Sequence, residues 1–96
     1  MKSIGLLEIQ SLSAAIEAID AMLKTANVQF LTWEKKLGGR LVTVVISGEV
    51  SSVKEAIEIG MTRANMIGKV FAHAVIPNPH EEVMKMIEIS AKKLNI

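Results

Sequence analysis

The sequence predicts an α+β domain in the order β-α-β-β-α-β, followed by a C-terminal helix. Short β-branched runs alternate with stretches whose apolar residues recur at helical spacing, and paired glycines separate the two middle runs. The 96 residues are too few to divide between two cores, so residues 1–96 are expected to form one domain. This order is typical of a ferredoxin-like arrangement with an antiparallel sheet.

The first third of the chain predicts a strand and a helix. Residues 3–10 form a short apolar run with β-branched Ile4 and Ile9, bounded by polar residues, which predicts a strand. Ser11 or Ser13 can cap the helix that follows by accepting a backbone hydrogen bond. Apolar residues then recur at helical spacing, and they predict the inward face of that helix: Leu12, Ala15, Ile16, Ile19, Leu23 and Ala26.

A charged stripe lies on another face of this first helix. Glu17, Asp20 and Lys24 are three and four residues apart, so they are neighbours on the helix surface. The stripe is either a solvated face with a weak ion pair or the edge of a subunit interface. The spacing fits both interpretations equally well.

The next segment predicts a hairpin. Residues 28–35 and 40–47 have strand character, and the turn Lys36-Leu37-Gly38-Gly39 lies between them. Glycine adopts positive φ at little cost, which such a turn needs. The second of these strands is apolar on both faces, so it should be central and covered on both sides, by its own chain or by another subunit.

The second helix is predicted to begin near Ser52, with Glu55 completing a capping box, and to end at Gly68 as a left-handed C-cap. Ala56, Gly60 and Ala64 repeat every four positions and permit close backbone approach. The full inward face is expected to contain Val53, Ala56, Ile57, Gly60, Ala64 and Ile67.

Residues 70–76 predict the fourth strand. After it, Asn78 can cap the last helix with Pro79 at its first position, and that helix should run to about Lys93. Acidic residues at its start suit the helix dipole. Two ion pairs are expected along it: Glu81 with Lys85, and Glu88 with Lys92.

Half of the residues are hydrophobic while only 3% are aromatic, which is more aliphatic side chain than one small core needs. The excess belongs either to an apolar monomer or to surfaces that other subunits cover. Eleven basic and ten acidic residues leave a net charge of +1, so no strong field favours nucleic acid or a membrane surface.

The absence of cysteine excludes disulfides and fits a reducing cytoplasm. The first residues lack the apolar stretch of a signal peptide, and no run approaches the roughly 20 apolar residues of a membrane span. The sequence therefore predicts a soluble protein with no membrane partner.

No residue pattern predicts catalysis, a metal site or a cofactor. The glycines match neither a phosphate-binding loop nor a dinucleotide fingerprint. His73 shares a strand face with Phe71 and Val75, which favours a hydrogen-bonded packing role over metal binding. His80 lies in a proline turn and is read as a turn or interface residue. The aromatic residues, Phe30, Trp33 and Phe71, are too few for a sheet that stacks RNA bases.

Several separated segments, in order, resemble one family: residues 6–8, 13–28, 36–39, 41–45, 48–50, 53–56 and 75–80. They are similar to the hexamer-forming, single-domain shell proteins of bacterial microcompartments, the group that contains carboxysome and metabolosome shells. The resemblance covers nearly the whole chain. It implies a non-enzymatic structural protein located in a bacterial microcompartment.

The resemblance also implies a cyclic homo-hexamer with an axial pore. The pore-lining residues would be Lys36, Leu37, Gly38, Gly39 and Arg40. Six turns that converge on an axis leave little room for Cβ atoms, and glycine amide groups can face the opening. Two basic residues flank the glycines, so a pore that favours anionic metabolites is expected.

This turn departs from the family pattern at Arg40, where relatives usually carry a small residue, and around Glu34 to Lys36, where the loop is one residue longer. Arg40 has two alternatives: it lines the pore, or it turns back to pair with a carboxylate such as that of Glu34. The sequence leaves both open.

The rim, where rings meet, is implied to contain Lys24, Asn27, Asn78 and His80. Relatives often carry an arginine at the position of Asn78, and losing that multidentate cation should weaken or alter the seam. The expected partners are neighbouring shell hexamers, other shell proteins and enclosed enzymes. The rival hypothesis is a small-molecule-binding regulatory oligomer of ferredoxin-like topology; an acyl-phosphate hydrolase would need an arginine-containing phosphate loop that this sequence lacks.

Overall fold

The computed structural model describes residues 2–94, and its elements follow the predicted order. The ferredoxin-like α+β prediction with an antiparallel sheet and a C-terminal helix is confirmed. The elements are β1 (Ser3–Gln10), α1 (Leu12–Thr25), β2 (Val28–Lys36), a short 3₁₀ turn (Leu37–Gly39), β3 (Leu41–Gly48), α2 (Val50–Asn65), β4 (Lys69–Pro77) and α3 (Glu81–Leu94).

The four strands form one antiparallel sheet in the order β2-β3-β1-β4. The predicted central position of β3 is confirmed, and β2 and β4 are the edge strands. In the register, Ser3 lies opposite both Gly48 and Pro77, and Gly48 lies opposite Val28. These four residues therefore form a row across one end of the sheet.

The hydrophobic core lies between the sheet and the pair α1 and α2. Strand residues that point toward these helices meet small side chains on the helices: Leu7, Ile9, Val42, Val44 and Ile46 against Ala14, Ala15, Ala18, Ala56 and Ala64. The small helix residues let the two helices approach the sheet closely. At Gly60, a Cβ atom would lie 2.7 Å from Sδ of Met22, so the predicted close approach is confirmed.

The opposite face of the sheet is covered in part by α3, which packs against β2. None of the α3 residues from Glu81 to Leu94 is buried. A polar chain joins the helix to the strand: Thr32 and Ser90 are hydrogen bonded at 2.9 Å, and Ser90 donates to the carboxylate of Glu34. We call these three residues the polar clip.

The ends of α2 differ from the sequence prediction. The helix begins at Val50 with Glu49 as N-cap, so the capping box of Ser52 and Glu55 is wrong. It ends at Asn65, and Gly68 is not in the left-handed region. Instead the backbone N–H groups of Ile67 and Gly68 both bond to the carbonyl of Ala64, which closes the helix with right-handed geometry.

Gly68 is nevertheless required for space. A Cβ atom there would lie well inside van der Waals distance of the carbonyl oxygen of Gln10 and 3.0 Å from Cβ of Ala14. Gly68 lies where two chain segments approach closely, and the prediction that it is a left-handed helix cap is wrong.

Of the cap predictions for the other two helices, one is confirmed and one is wrong. Ser11 is confirmed as the cap of α1, since its side chain accepts from the N–H of Ala14 at 3.2 Å. Asn78 is not the cap of α3: it adopts a φ of 48° and its N–H donates to the carbonyl of Lys2. His80 is the cap, because its Nδ1 accepts from the N–H of Glu82 at 3.0 Å.

The ion pairs of α3 also differ from prediction. Lys85 pairs with Glu82 at 3.2 Å rather than with Glu81. Among residues 2–94, Glu88 and Lys92 do not form the expected pair. Exposed pairs of this kind contribute little to stability, so their choice of partner follows small differences in side-chain geometry.

Several apolar residues that periodicity assigned to the interior lie on the surface. Ile16 and Leu23 of α1, and Ile67 after α2, are exposed. His73 is exposed on the edge strand β4, so the predicted packing role is not realised within the subunit core. Ile16 and Leu23 are exposed because the apolar residues of α1 span a wider arc than the face that packs against the sheet and α2, whereas Ile67 lies beyond the end of α2.

Candidate functional site

The turn between β2 and β3 is built from three consecutive left-handed residues. Leu37, Gly38 and Gly39 have φ values of 54°, 67° and 89°. This conformation is cheap for glycine but costs a residue with a Cβ roughly 1–2 kcal/mol. A Cβ at Gly38 would meet no atom within 4 Å in the subunit. Backbone conformation, rather than space within the subunit, is what demands glycine at that position.

Arg40 folds back over this turn. Its Nε donates to the carbonyl of Leu37 at 3.0 Å, and its backbone N–H approaches the same oxygen at 3.3 Å. The alternative in which Arg40 pairs with Glu34 is not observed, because the Glu34 carboxylate accepts from Ser90 in the polar clip. Both Lys36 and Arg40 are exposed. The turn thus places two cationic side chains beside two glycines.

The predicted rim residues all lie at the other end of the sheet, in its connections or in the last turn of α1. Asn27 precedes Val28, and Asn78 follows Pro77, so both adjoin the row across that end. Lys24 is in the last turn of α1, and His80 caps α3. The fold therefore gathers the α1–β2 and β4–α3 connections at one end.

A small polar cavity of about 190 Å³ opens at this end of the sheet. Its lining includes Lys2 and Asn27, and the carbonyl of Lys2 holds the N–H of Asn78 at 3.1 Å. The cavity therefore adjoins the α1–β2 connection directly and the β4–α3 connection only through Lys2. Its complete lining is Lys2, Asn27, Gln29, Ser47, Gly48 and Glu49.

Lys24 is exposed and pairs with Asp20 at 2.8 Å, one helical turn earlier. The hydrogen bond that it donates to Asp20, together with the negative charge of that carboxylate, raises the pKa of Lys24. Its ammonium is therefore charged at neutral pH and faces solvent. A neighbouring molecule can reach it without rearrangement of the subunit.

The glycine turn and the rim residues are separated by the length of the sheet. Leu41, beside the turn, and Gly48, in the row at the rim end, are the two ends of β3. At roughly 3.3 Å per residue, the eight-residue strand spans about 23 Å. The sequence motifs thus map to two opposite extremities of the subunit.

Sequence reasoning missed the exposed apolar surfaces along both sides of the sheet. On the β2 side, a groove of about 370 Å³ between α1 and β2 is lined by Ile16, Ile19, Asp20, Leu23, Phe30 and Trp33. On the β4 side, Met66, Ile67 and Phe71 are exposed, with Phe71 at 53%. The signal was present as the excess of aliphatic residues, but composition does not say where they lie.

Within residues 2–94, no group of three or more His, Cys, Asp or Glu side chains has the proximity needed to hold a metal ion. No helix in the same part of the chain is both long and apolar enough to cross a bilayer.

Comparison with known proteins places this geometry in a family. A profile of the BMC domain matches residues 3–79. The chain is 45% identical over 86 residues to the bacterial microcompartment shell protein PduA of Citrobacter freundii, covering 90% of this chain and 91% of that protein. It is 39% identical over 92 residues to the shell protein EutM of Salmonella typhimurium, covering 96% and 95% of the two chains.

A solved structure agrees. The crystal structure of a microcompartments protein from Desulfitobacterium hafniense superposes with a TM-score of 0.80 at 37% identity. The match covers 94% of this chain and 48% of that one, so this chain spans about half of the solved protein. The chain belongs to the BMC domain family, the family of the bacterial microcompartment shell proteins that it matches.

Proposed function

We propose that this chain is a structural tile of a bacterial microcompartment shell and not an enzyme. In this proposal six copies form a ring around an axial pore, and rings meet at their rims to form sheets with other shell proteins around enclosed enzymes. The observation that carries it is the location of the glycine turn and the rim residues at opposite ends of one sheet. A ring subunit needs one extremity at the axis and the other at the perimeter.

The two apolar sides of the sheet support ring closure. The groove lies beside β2 and the exposed Phe71 lies on β4, so these apolar surfaces are on opposite edges of the same sheet. Contact between different surfaces of identical subunits is heterologous and produces a ring when the rotation closes. Removing apolar area from water favours such association by about 25 cal/mol per Å², and only the surplus over the entropy and desolvation costs of association stabilises the ring.

The turn supports a pore selective for small anions. Left-handed Gly38 and Gly39 keep Cβ atoms out of the opening, and Lys36 and Arg40 supply positive charge around it. Rings of cationic side chains favour anions over cations of the same size. A polar or anionic metabolite is therefore the solute expected to pass through the pore.

Electron microscopy and native mass spectrometry of the purified chain test the ring. A ligand-free hexamer that forms hexagonal sheets is expected. A chain that stays monomeric at high concentration would contradict the proposal, and an oligomer that forms only with a small ligand would favour the regulatory alternative.

Lys24→Ala tests the rim. It should abolish or severely weaken sheets while leaving the mass of the ring unchanged, because Lys24 is exposed at the rim end. Lys54→Ala on the exposed face of α2 is the matched control and should leave sheets intact. Normal sheets with Lys24→Ala would exclude this residue from the seam.

The pore is tested by solute flux through reconstituted sheets. Lys36→Glu and Arg40→Glu should each lower the flux of a small anion relative to a neutral solute of equal size. An unchanged ratio in both variants would contradict the anion preference.

A further inference from the structure

We infer that Arg40 is a positioning residue that holds the β2–β3 turn in its left-handed conformation through its Nε. The starting observation is that Leu37 has a φ of 54° although it carries a Cβ, and that its side chain is 68% exposed. A branched side chain with no burial to hold it does not adopt this conformation unaided. Something else in the turn must stabilise it.

Arg40 supplies that stabilisation through two donors that converge on one acceptor. Its Nε lies 3.0 Å and its backbone N 3.3 Å from the carbonyl oxygen of Leu37. A carbonyl has two lone pairs and can accept both. The pair of bonds closes the turn around Gly38 and Gly39 and fixes the orientation of the Leu37 peptide.

Arg40 is also tied to the scaffold. Its carbonyl accepts the N–H of Ser11, the cap of α1, at 3.2 Å. The residue therefore connects the turn on one side with the start of a helix on the other. This connection fixes the position of the two glycines relative to the packed core, so the turn does not move as an isolated loop.

The guanidinium has donors to spare. Among residues 2–94, its terminal nitrogens make no further hydrogen bond, so they remain free to meet an anion while Nε holds the turn. A lysine would keep the charge but lacks the planar fork that points one nitrogen back and two outward. Arg40 thus has two roles: it holds the turn and it carries charge. Substitution by lysine removes the first role and keeps the second.

The consequence for the pore rests on the proposed function. If six such turns surround an axis, Arg40 sets the position of their glycines and therefore the width of the opening. Arg40→Lys would then change passage through the pore without changing its formal charge.

Amide hydrogen exchange in the intact protein tests the inference. Arg40→Lys should speed exchange of the residue 40 amide, which bonds to Leu37, by about tenfold, the value of one ordinary hydrogen bond. Arg63→Lys, at an exposed arginine paired with Glu17, is the matched control and should not change exchange in the turn. Exchange unchanged by Arg40→Lys would overturn the inference.

Repeating Arg40→Lys in a Leu37→Asn variant distinguishes a positioning role of Arg40 from a general loss of stability in the turn. Leu37→Asn introduces a residue that tolerates positive φ, so the turn needs less support. In that background Arg40→Lys should speed exchange less than about threefold. An equal effect in both backgrounds would overturn the link between Arg40 and the strain at Leu37.

Flux measurements separate this inference from the pore proposal. If exchange responds as expected and sheets of Arg40→Lys also pass solutes differently, both stand. If exchange responds but flux is unchanged, the pore assignment of the turn fails while the role of Arg40 in the turn holds.

Discussion

The two faces of the sheet are covered in different ways. On one face, α1 and α2 bury small apolar residues against the strands, with Ala14, Ala18 and Met22 fully inaccessible. On the other face, α3 has no buried residue between Glu81 and Leu94 and is joined to β2 by the polar clip. The first contact depends on close packing, whereas the second combines half-buried apolar residues such as Val83 and Ile87 with a few hydrogen bonds.

This difference indicates that one face of the sheet stabilises the fold while the other face can open or adjust locally. Closely packed interiors respond strongly to a change of one methylene, whereas an element with few buried contacts opens locally at a lower free energy. The α1/α2 face should therefore carry most of the free energy of unfolding. The α3 face should be the part that adjusts when a neighbouring molecule binds.

The sharpest comparison is between two methionines, one on each side. Met22 is 0% exposed in the core and Met86 is 68% exposed on α3. Met22→Ala should cost about 2–5 kcal/mol because it leaves a cavity. Met86→Ala should change stability by about 0.5 kcal/mol or less. Urea denaturation at fixed protein concentration measures both, and similar losses would break the comparison.

A smaller loss is expected from a glycine at the α1/α2 face. Gly68→Ala should cost about 3 kcal/mol, at the upper end for overpacking, because the new Cβ meets the backbone carbonyl of Gln10. Gly38→Ala, the control, should cost about 1–2 kcal/mol, since its Cβ has open space and only the left-handed backbone is penalised. Thermal unfolding gives the order of the two, and a reversed order would contradict the packing argument.

The polar clip gives the next effect. Ser90→Ala should cost about 1–2 kcal/mol, because Thr32 is 1% exposed and keeps only its longer hydrogen bond, to the carbonyl of Trp33 at 3.4 Å. Exchange of the α3 amides should accelerate while that of α1 and α2 stays constant. Ser51→Ala, at an exposed serine of α2, should leave the α3 amides unchanged. Uniform acceleration across the subunit would show that α3 does not open independently.

The smallest effect is expected at the start of α3. His80→Ala should cost about 1 kcal/mol, because the N–H of Glu82 loses its acceptor. His80→Asn should restore most of it, since asparagine is a strong N-cap. Amide exchange at Glu82 reports the change, and equal exchange in both variants would argue against the cap.

Local patterns predicted the order of elements well. The strand predicted over residues 3–10, the cap at Ser11 and the close approach at Gly60 each depend on neighbours in sequence or on one helix face, and each is confirmed. The apolar character of residues 41–46 correctly predicted the central strand. Resemblance of separated segments predicted the family, which the comparisons confirm.

Contacts between distant segments decided the rest. Gly68 has the sequence context of a helix cap, yet glycine is required there by the close approach of Gln10 at the end of β1. Asn78 has the better side chain for a cap, yet Lys2 holds its backbone and His80 takes the role. Sequence proximity made Glu34 a reasonable partner for Arg40. In the structure, the Glu34 carboxylate instead accepts a hydrogen bond from Ser90, 56 positions away.

The sequence by itself determined which segments are strands and helices and which turn needs left-handed residues, because these depend on short-range periodicity and backbone sterics. The family followed from the resemblance of several separated segments. Only the tertiary structure decided that the glycine turn and the rim residues lie at opposite ends of one sheet, and that Arg40 bonds to Leu37. Those facts depend on strand order, register and the choice among competing hydrogen-bond partners, which no local pattern specifies.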